Sequence, residues 1–372
     1  MSADGAGVGV GLGPNLGTIT SLSARPIVAA LSRPWGADVQ SITVIEVTIG
    51  TSAGHTGHGF SWTPTIGAAS VAAMLENDIR DFALGREADA SALWSELWKH
   101  LHEAGSGGVT TIAMAGIDLA LWDLRGRVAG QSVTELVGAK RDSAEVYGSG
   151  VNLHYSLAEL VAQTERWVAR GFNAVKVKVG KPDVAEDVDR IAAVREVIGP
   201  DRRLMIDANQ RWDLARATAA LDALRGFDLA WIEEPLLADD LPAHAELRRR
   251  IDTPIAIGEN LHTVYRFRDA IDVGACDIVQ PNVVRVGGIT PFLDIAALAA
   301  ERGIPVHPHL LPEISGQLAL TLDDGSASSA LVEDVEDASF EALGLLAEPS
   351  PVLLEGNRLV STGRAGLGIR FA

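Results

Sequence analysis

Three carboxylates, two lysines and a histidine recur along this 372-residue chain at intervals that suggest one reaction centre. Asp207, Glu233 and Glu259 each close a short apolar run, in LMID, AWIE and AIGE. Brought together, three carboxylates repel one another unless a positive charge lies between them. An all-oxygen donor set suits a hard cation, and Mg²⁺ completed by water or substrate is the expected ion. Lys176 and Lys178 lie two apart in AVKVKVG, so on a strand both ammonium groups point to one face. Two neighbouring ammonium groups and a metal each disfavour the others' charge. The expectation is a lysine pulled from about 10.4 toward neutrality, where it serves as a general base. His309 closes IPVHPH and could face Lys178 across a substrate. His307, two residues earlier, reads as a structural histidine deeper in the fold. The chemistry that fits is removal of the proton α to a carboxylate. That proton is weakly acidic, and a divalent ion with cationic side chains stabilises the enediolate left behind.

Something regular must position these groups. From about Ser143, short β-branched runs alternate with helical patterns such as DVDRIAAVREVIG and LDIAALAAERG. Eight such runs carry a polar residue that reads as the strand end: Ser149, Lys178, Asp207, Glu233, Glu259, Asn282, His309 and Glu333. They are spaced 29, 29, 26, 26, 23, 27 and 24 residues apart. Parallel strands need a crossover helix between each pair, so this spacing predicts a parallel barrel with all eight groups converging on its C-terminal face. Scattered surface carboxylates would not keep that register.

Ahead of the repeat, SITVIEVTIG alternates with Ile42, Val44, Glu46 and Thr48 on one face, and Ile19 to Ala29 reads as its partner strand. Helical patterns follow: Trp94, Leu97, Trp98 and Leu101, read as core packing, and the Ala- and Leu-rich stretch 111–136. The organisation expected is α/β. A Gly-rich tail (1–18) precedes an α+β capping domain (19–142) and a modified TIM barrel, (β/α)7β (143–340). A C-terminal segment (341–372), with a hairpin turning at Gly356-Asn357, returns to the cap. The glycines at 5, 7, 9, 11 and 13 do not make a dinucleotide-binding loop: no start satisfies G-x-G-x-x-G, and no strand precedes them.

At this point the sequence resembles the enolase superfamily, in its mandelate racemase subgroup. The resemblance runs through AGIDLALWDLRGR (115–127), AVKVKVG, MIDANQ, WIEEP, IGEN, QPNVVRVGGIT and GIPVHPHLLPEISGQLA. It implies that Asp207, Glu233 and Glu259 bind Mg²⁺, and that Lys178 is the base. Lys176 then contacts the substrate carboxylate and tunes Lys178. His309 becomes the facing acid/base, and Glu333 an acid hydrogen-bonded to the enediolate. Asn209, Asn282 and Ser149 are expected at the substrate. The segment Asp323-Asp324-Gly325-Ser326 reads as an insertion before Glu333. The resemblance also implies that cap loops around Arg25–Trp35 and Ala53–Thr63, with His55, His58 and Trp62 as candidates, close over the barrel mouth, and that the protein is a homo-oligomer.

One departure stands out. Gln280-Pro281-Asn282 replaces a motif in which the subgroup usually has an aspartate partnering the histidine; Asp277 is of opposite parity and cannot substitute. An asparagine does not stabilise an imidazolium as a carboxylate does. The expected reaction is therefore dehydration of an acid sugar rather than racemisation. A racemase or epimerase of a 2-hydroxy or amino acid is the runner-up, and a cycloisomerase or a non-catalytic binding protein is more distant.

The balance of 31 basic against 49 acidic residues, −18 overall, argues against nucleic acid and anionic membranes as partners and leaves a small carboxylate substrate. One cysteine, Cys276, and no basic leader or long apolar span fit a cytoplasmic protein.

Overall fold

A computed structural model describes residues 15–36, 39–64, 66–323 and 330–372. The Gly5–Gly13 run, and Asp324, Gly325 and Ser326 of the expected insertion, lie outside the described residues.

The first unit is an antiparallel sheet of β1 (Ile19–Trp35), β2 (Val39–Thr51) and β3 (Thr56–Thr63), in register through Ile27, Val44 and Trp62. Both faces of β2 are covered, which its alternation did not suggest. Ile42 and Val44 join the large core shared with the barrel, whereas Ile45, Val47 and Ile49 pack with Leu75, Leu97 and Ile117 in a second core. The helix Val109–Ala129 lies against β3. Its approach needs glycine: a Cβ on Gly57 would sit 2.2 Å from the Ala120 carbonyl oxygen, and one on Gly59 2.3 Å from the Gly116 oxygen. The two expected cap loops are largely strand, falling within β1 and around β3. The end of β1 reaches over the barrel. There the Arg33 guanidinium lies 3.5 Å from the Tyr155 ring centre and pairs with Glu159, and Ser32 bonds Asp337.

The second unit keeps the predicted element order. Parallel strands β4 (Ser143–Ser149), β5 (Ala174–Lys178), β6 (Arg203–Asp207), β7 (Leu229–Glu233), β8 (Ile255–Ile257) and β9 (Ile278–Val279) are neighbours in sequence order, and β10 (Leu331–Val335) pairs with β4. A helix follows each of β4 to β9. Five of these helices begin at a residue whose side chain accepts a first-turn N–H: Ser156, Asp183, Asp213, Asp240 and Thr263. The interior is layered. Tyr147, Ala174, Met205, Trp231, Ala256, Ile278 and Leu331 form an apolar cluster, and two residues on from several of them come Lys176, Asp207, Glu233 and Glu333.

Three expectations need correction. The seventh run makes a single bridge, Val306 to Val279, because Pro305 and Pro308 lack the N–H groups a ladder requires. The contact from there to β10 runs through a side chain: the Leu331 N–H donates to His307 Nδ1 at 3.0 Å. Glu333 does not end its strand but sits in the middle of β10, opposite Tyr147. The C-terminal hairpin, β11 (Val352–Glu355) and β12 (Arg358–Ser361), turns at Gly356-Asn357 as predicted, yet β12 joins β4 of the barrel sheet. Only the residues after it return to the cap, where Leu367 N–H bonds Asp123 and Phe371 packs on Phe60.

Trp94 and Trp98 are half-buried and pack against the second core. Their rings stack 5.6 Å apart, and Trp94 Nε1 donates to the Gly287 carbonyl of the barrel. Among the described residues no helix is long and apolar enough to cross a membrane.

Candidate active site

Strand register brings the first half of the site together. Lys178 lies opposite Asp207 on the neighbouring strand, and Asp207 opposite Glu233, so three charged side chains share one level. Lys176, one inward step below Lys178, is buried with its Nζ 2.7 Å from Glu233 Oε2, 2.8 Å from Glu333 Oε1 and 3.9 Å from Asp207 Oδ2. Lys178 pairs with Asp207 Oδ2. The other Asp207 oxygen accepts the Asn209 N–H at 2.7 Å. Asn209 and Gln210 both adopt positive φ, +42° and +62°, an uncommon pair that turns the chain sharply at the mouth.

The second half is assembled beyond its strands. Glu259 lies two residues past β8, and His309 Nε2 is 3.4 Å from Glu259 Oε2 and 3.6 Å from Glu333 Oε2. Consecutive left-handed residues, Leu310 at +56° and Leu311 at +54°, aim the Leu310 N–H at Glu333 Oε2. Ser149 is buried and hydrogen-bonded to Glu333. Asn282 is fully buried and makes its bonds internally, to His309 and to two backbone amides. These bonds make Ser149 a support for Glu333 and Asn282 a support for His309.

Charge decides what the cluster lacks. Five carboxyl groups, Asp207, Glu233, Glu234, Glu259 and Glu333, face three cations, Lys176, Lys178 and Arg285. The lysines are accordingly not tuned downward in this state. Burial pulls the Lys176 ammonium down, but Glu233 and Glu333 outweigh it and hold it well above its usual range; Asp207 does the same for Lys178. The predicted lowering needs a competing cation beside the carboxylates. Their chemistry fits one. Glu233 Oε1 is buried without a hydrogen-bond partner, and donor atoms of Glu233, Glu259 and His309 lie within 4.8 Å of one another. Asp207 stands outside that group, its two oxygens held by Lys178 and the Asn209 amide. The oxygen donors suit Mg²⁺.

Several supporting residues were not singled out from sequence. Gln280 Nε2 donates to Glu233 Oε2 at 2.8 Å. Glu234, buried at φ +38°, accepts from both the backbone and side-chain N–H of Asn260. Arg285 reaches the Glu259 carbonyl and Asn260 Oδ1. Asn152 Oδ1 accepts the Lys178 N–H. Gln280, Asn260 and Arg285 stand inside quoted motifs and Glu234 beside a quoted ligand; Asn152 carries no spacing signal. His307 is the structural histidine expected, stacked on Trp231 and pushed down to about 3 by burial. Of the cap candidates, His58 bonds Thr48 and, through its backbone N–H, the Asp123 carboxylate, and Trp62 is buried beside Trp35.

The sequence families agree with this geometry. Residues 20–138 match the mandelate racemase / muconate lactonizing enzyme N-terminal domain, and 159–372 match the enolase C-terminal domain-like family. The chain belongs to the mandelate racemase / muconate lactonizing enzyme family. Within the family it is 40% identical to a 3,6-anhydro-alpha-L-galactonate cycloisomerase of Streptomyces coelicolor, over 78% of this chain and 81% of that protein. It is 36% identical to an L-talarate/galactarate dehydratase of Salmonella typhimurium, over 95% and 85%. The crystal structure of a racemase from Streptomyces coelicolor with bound magnesium matches it with a TM-score of 0.89, at 34% identity over 95% and 97% of the two chains.

Proposed function

We propose that this protein dehydrates an acid sugar, aldonate or aldarate, to a 2-keto-3-deoxy acid. The observation that carries the reading is a pair of lysines, Lys176 buried and Lys178 partly so, set among carboxylates at one end of the parallel sheet. Asp207, Glu233 and Glu259 would hold Mg²⁺, which when bound offsets the charge that develops on the substrate carboxylate. Lys178, relieved of Asp207, takes the α-proton. Lys176, anchored by Glu233 and Glu333, offers its charge to the same carboxylate oxygens. The C–H electron pair enters the enediolate, whose collapse breaks the C–O bond at the β-carbon. The departing hydroxyl takes up one proton from Lys178, by then an ammonium, and leaves as water, with the His309 Nε2–H as a hydrogen-bond donor to it. The resulting enol returns to the 2-keto form. A small carboxylate substrate, a cytoplasmic setting and a homo-oligomeric assembly complete the proposal.

The similarity to a cycloisomerase favours a second reading with the same first step. In a 3,6-anhydro sugar acid the β-oxygen is part of a ring, so its expulsion opens the ring and nothing leaves. A panel of aldonates, aldarates and anhydro acids, incubated with Mg²⁺ and followed by mass spectrometry, separates the two. Dehydration gives a 2-keto product lighter by one water; cycloisomerisation gives a 2-keto product of unchanged mass. Interconversion of stereoisomers with no keto product would overturn both.

A further inference from the structure

We infer that Asn282 holds His309 as a neutral imidazole with its proton on Nε2, making it a fixed hydrogen-bond donor to the reaction cavity and not a second base. The argument is one of donors and acceptors. Asn282 Oδ1 accepts two backbone N–H groups, from Val284 and from Arg285, each at 3.1 Å. These donors settle the orientation of the amide, because a flipped side chain would set its NH₂ against both of them. The Nδ2 group is therefore the atom that meets His309 Nδ1, at 3.0 Å. An amide NH₂ only donates, so Nδ1 accepts and carries no proton. A neutral imidazole then has its hydrogen on Nε2. A second feature agrees: Nε2 faces a carboxylate oxygen, Glu333 Oε2, which can only accept from it.

The consequence concerns which face of the substrate can lose a proton. With a carboxylate at position 282, Nδ1 would carry the hydrogen and the Nε2 lone pair would face the cavity. With asparagine the lone pair is turned to the amide. His309 Nε2 can stabilise a developing or departing oxygen but cannot accept the α-proton. Asn282 is thus a positioning residue, and it acts through a tautomer. The chemical meaning rests on the proposed reaction, but the tautomer itself does not.

Long-range ¹H–¹⁵N correlation spectra of the full chain, labelled with ¹⁵N-histidine and recorded with Mg²⁺ and without substrate, read the tautomer directly. His309→Gln assigns the resonance by its absence. The expected result is a protonated Nε2 and an unprotonated Nδ1 in the wild type, with the two exchanging roles in Asn282→Asp. An unprotonated Nε2 in the wild type overturns the inference, whether the proton sits on Nδ1 or a metal has displaced it. So does an Asn282→Asp spectrum identical to wild type. Should that variant not fold, Asn282→Ala serves: it removes the amide donor to Nδ1 and should yield a mixture of tautomers, whereas an unchanged pure Nε2–H form would overturn the role of Asn282. No turnover is needed, so a failed search for an acid-sugar substrate leaves this result standing.

Discussion

The two halves of the barrel mouth are built by different means. On the β5–β7 side, Lys176, Lys178, Asp207 and Glu233 lie within regular strands, and their level is set by ladder register. On the β8–β10 side, Glu259, Asn282 and His309 lie beyond strands of three residues, two residues and a single bridge. Side-chain bonds from Asn282, Arg285, Asn260 and Glu234 take the place of the ladder there. One supporting helix on the second side differs too. Helices after β5, β6, β7 and β8 carry their own N-caps, Asp183, Asp213, Asp240 and Thr263. The helix Ile289–Glu301 after β9 starts at Gly288 with no cap of its own. Asp118 of the cap domain supplies it, accepting from the Thr290 N–H and hydroxyl, while Trp94 and Trp122 bond Gly287 and Thr290. One half of the mouth is self-supporting; the other leans on the cap.

The largest expected effect would fall on both halves at once. Removing the divalent ion with EDTA should abolish turnover, and added Mg²⁺ should restore it. Glu259→Gln should weaken Mg²⁺ binding measured calorimetrically and reduce turnover to near background, while the circular dichroism spectrum stays native. Full activity in the stripped enzyme would sink the metal assignment and with it the reason for three oxygen donors.

Next in size is Lys178→Ala, which tests the self-supporting half alone. A general base contributes about 10²–10⁴-fold, so kcat should fall by that order, and α-proton exchange with D₂O should vanish. Exchange that persists in Lys178→Ala and disappears in His309→Ala would move the base to the other half.

This contrast also explains what was legible in the sequence. Where a strand carries its functional residue in the ladder, parity and spacing are enough, and Lys176, Lys178, Asp207 and Glu233 emerged together with the eight-fold repeat. Asn282 was noticed, but its environment was not: that its oxygen is held by two amides depends on the turn after β9, which has no periodic signature. Glu333 was assigned to a strand end, although two further residues of β10 pair with β4. How many carboxylates surround each ammonium is likewise not legible in the sequence, and without a competing cation they hold both lysines above their usual range. The cap's two-sided burial escaped for a related reason. Alternation reports one covered face, whereas β2 is covered on both.

Asn282→Asp should have a more selective consequence, confined to the half that leans on side-chain bonds. Dehydration initiated by Lys178 should change little, within about tenfold. In a Lys178→Ala background, adding Asn282→Asp should create slow α-deuteration that the single Lys178→Ala variant lacks, since the His309 Nε2 lone pair now faces the cavity. Equal, absent exchange in both variants would show that the tautomer is not what limits that face.

The smallest effect concerns stability and the borrowed helix cap. Burial pushes the Asp118 carboxyl up to about 7, even though the Thr290 hydroxyl and backbone amides favour its charged form. A folded-state pKa above the unfolded value of 3.8 means that the native protein binds the proton more tightly. The linked stability is therefore fully present below about pH 4 and is lost as pH rises through 7. Asp118→Asn resembles the protonated carboxyl: its oxygen can still accept the Thr290 N–H, and its amide can donate to the Thr290 hydroxyl. Urea unfolding between pH 4 and pH 8 should show a flatter profile for Asp118→Asn. Asp123, raised to about 6, and Glu313, raised to about 7, would keep part of the slope. The difference from wild type should be on the order of a few kcal/mol at most, at about 1.4 kcal/mol per pKa unit. It should favour the variant at the alkaline end. A variant whose stability falls in parallel with wild type would mean that Asp118 is already charged in the folded protein. The cap would then hold the β9 helix by a carboxylate rather than by a neutral acid, and the leaning half would strengthen, not weaken, as pH rises.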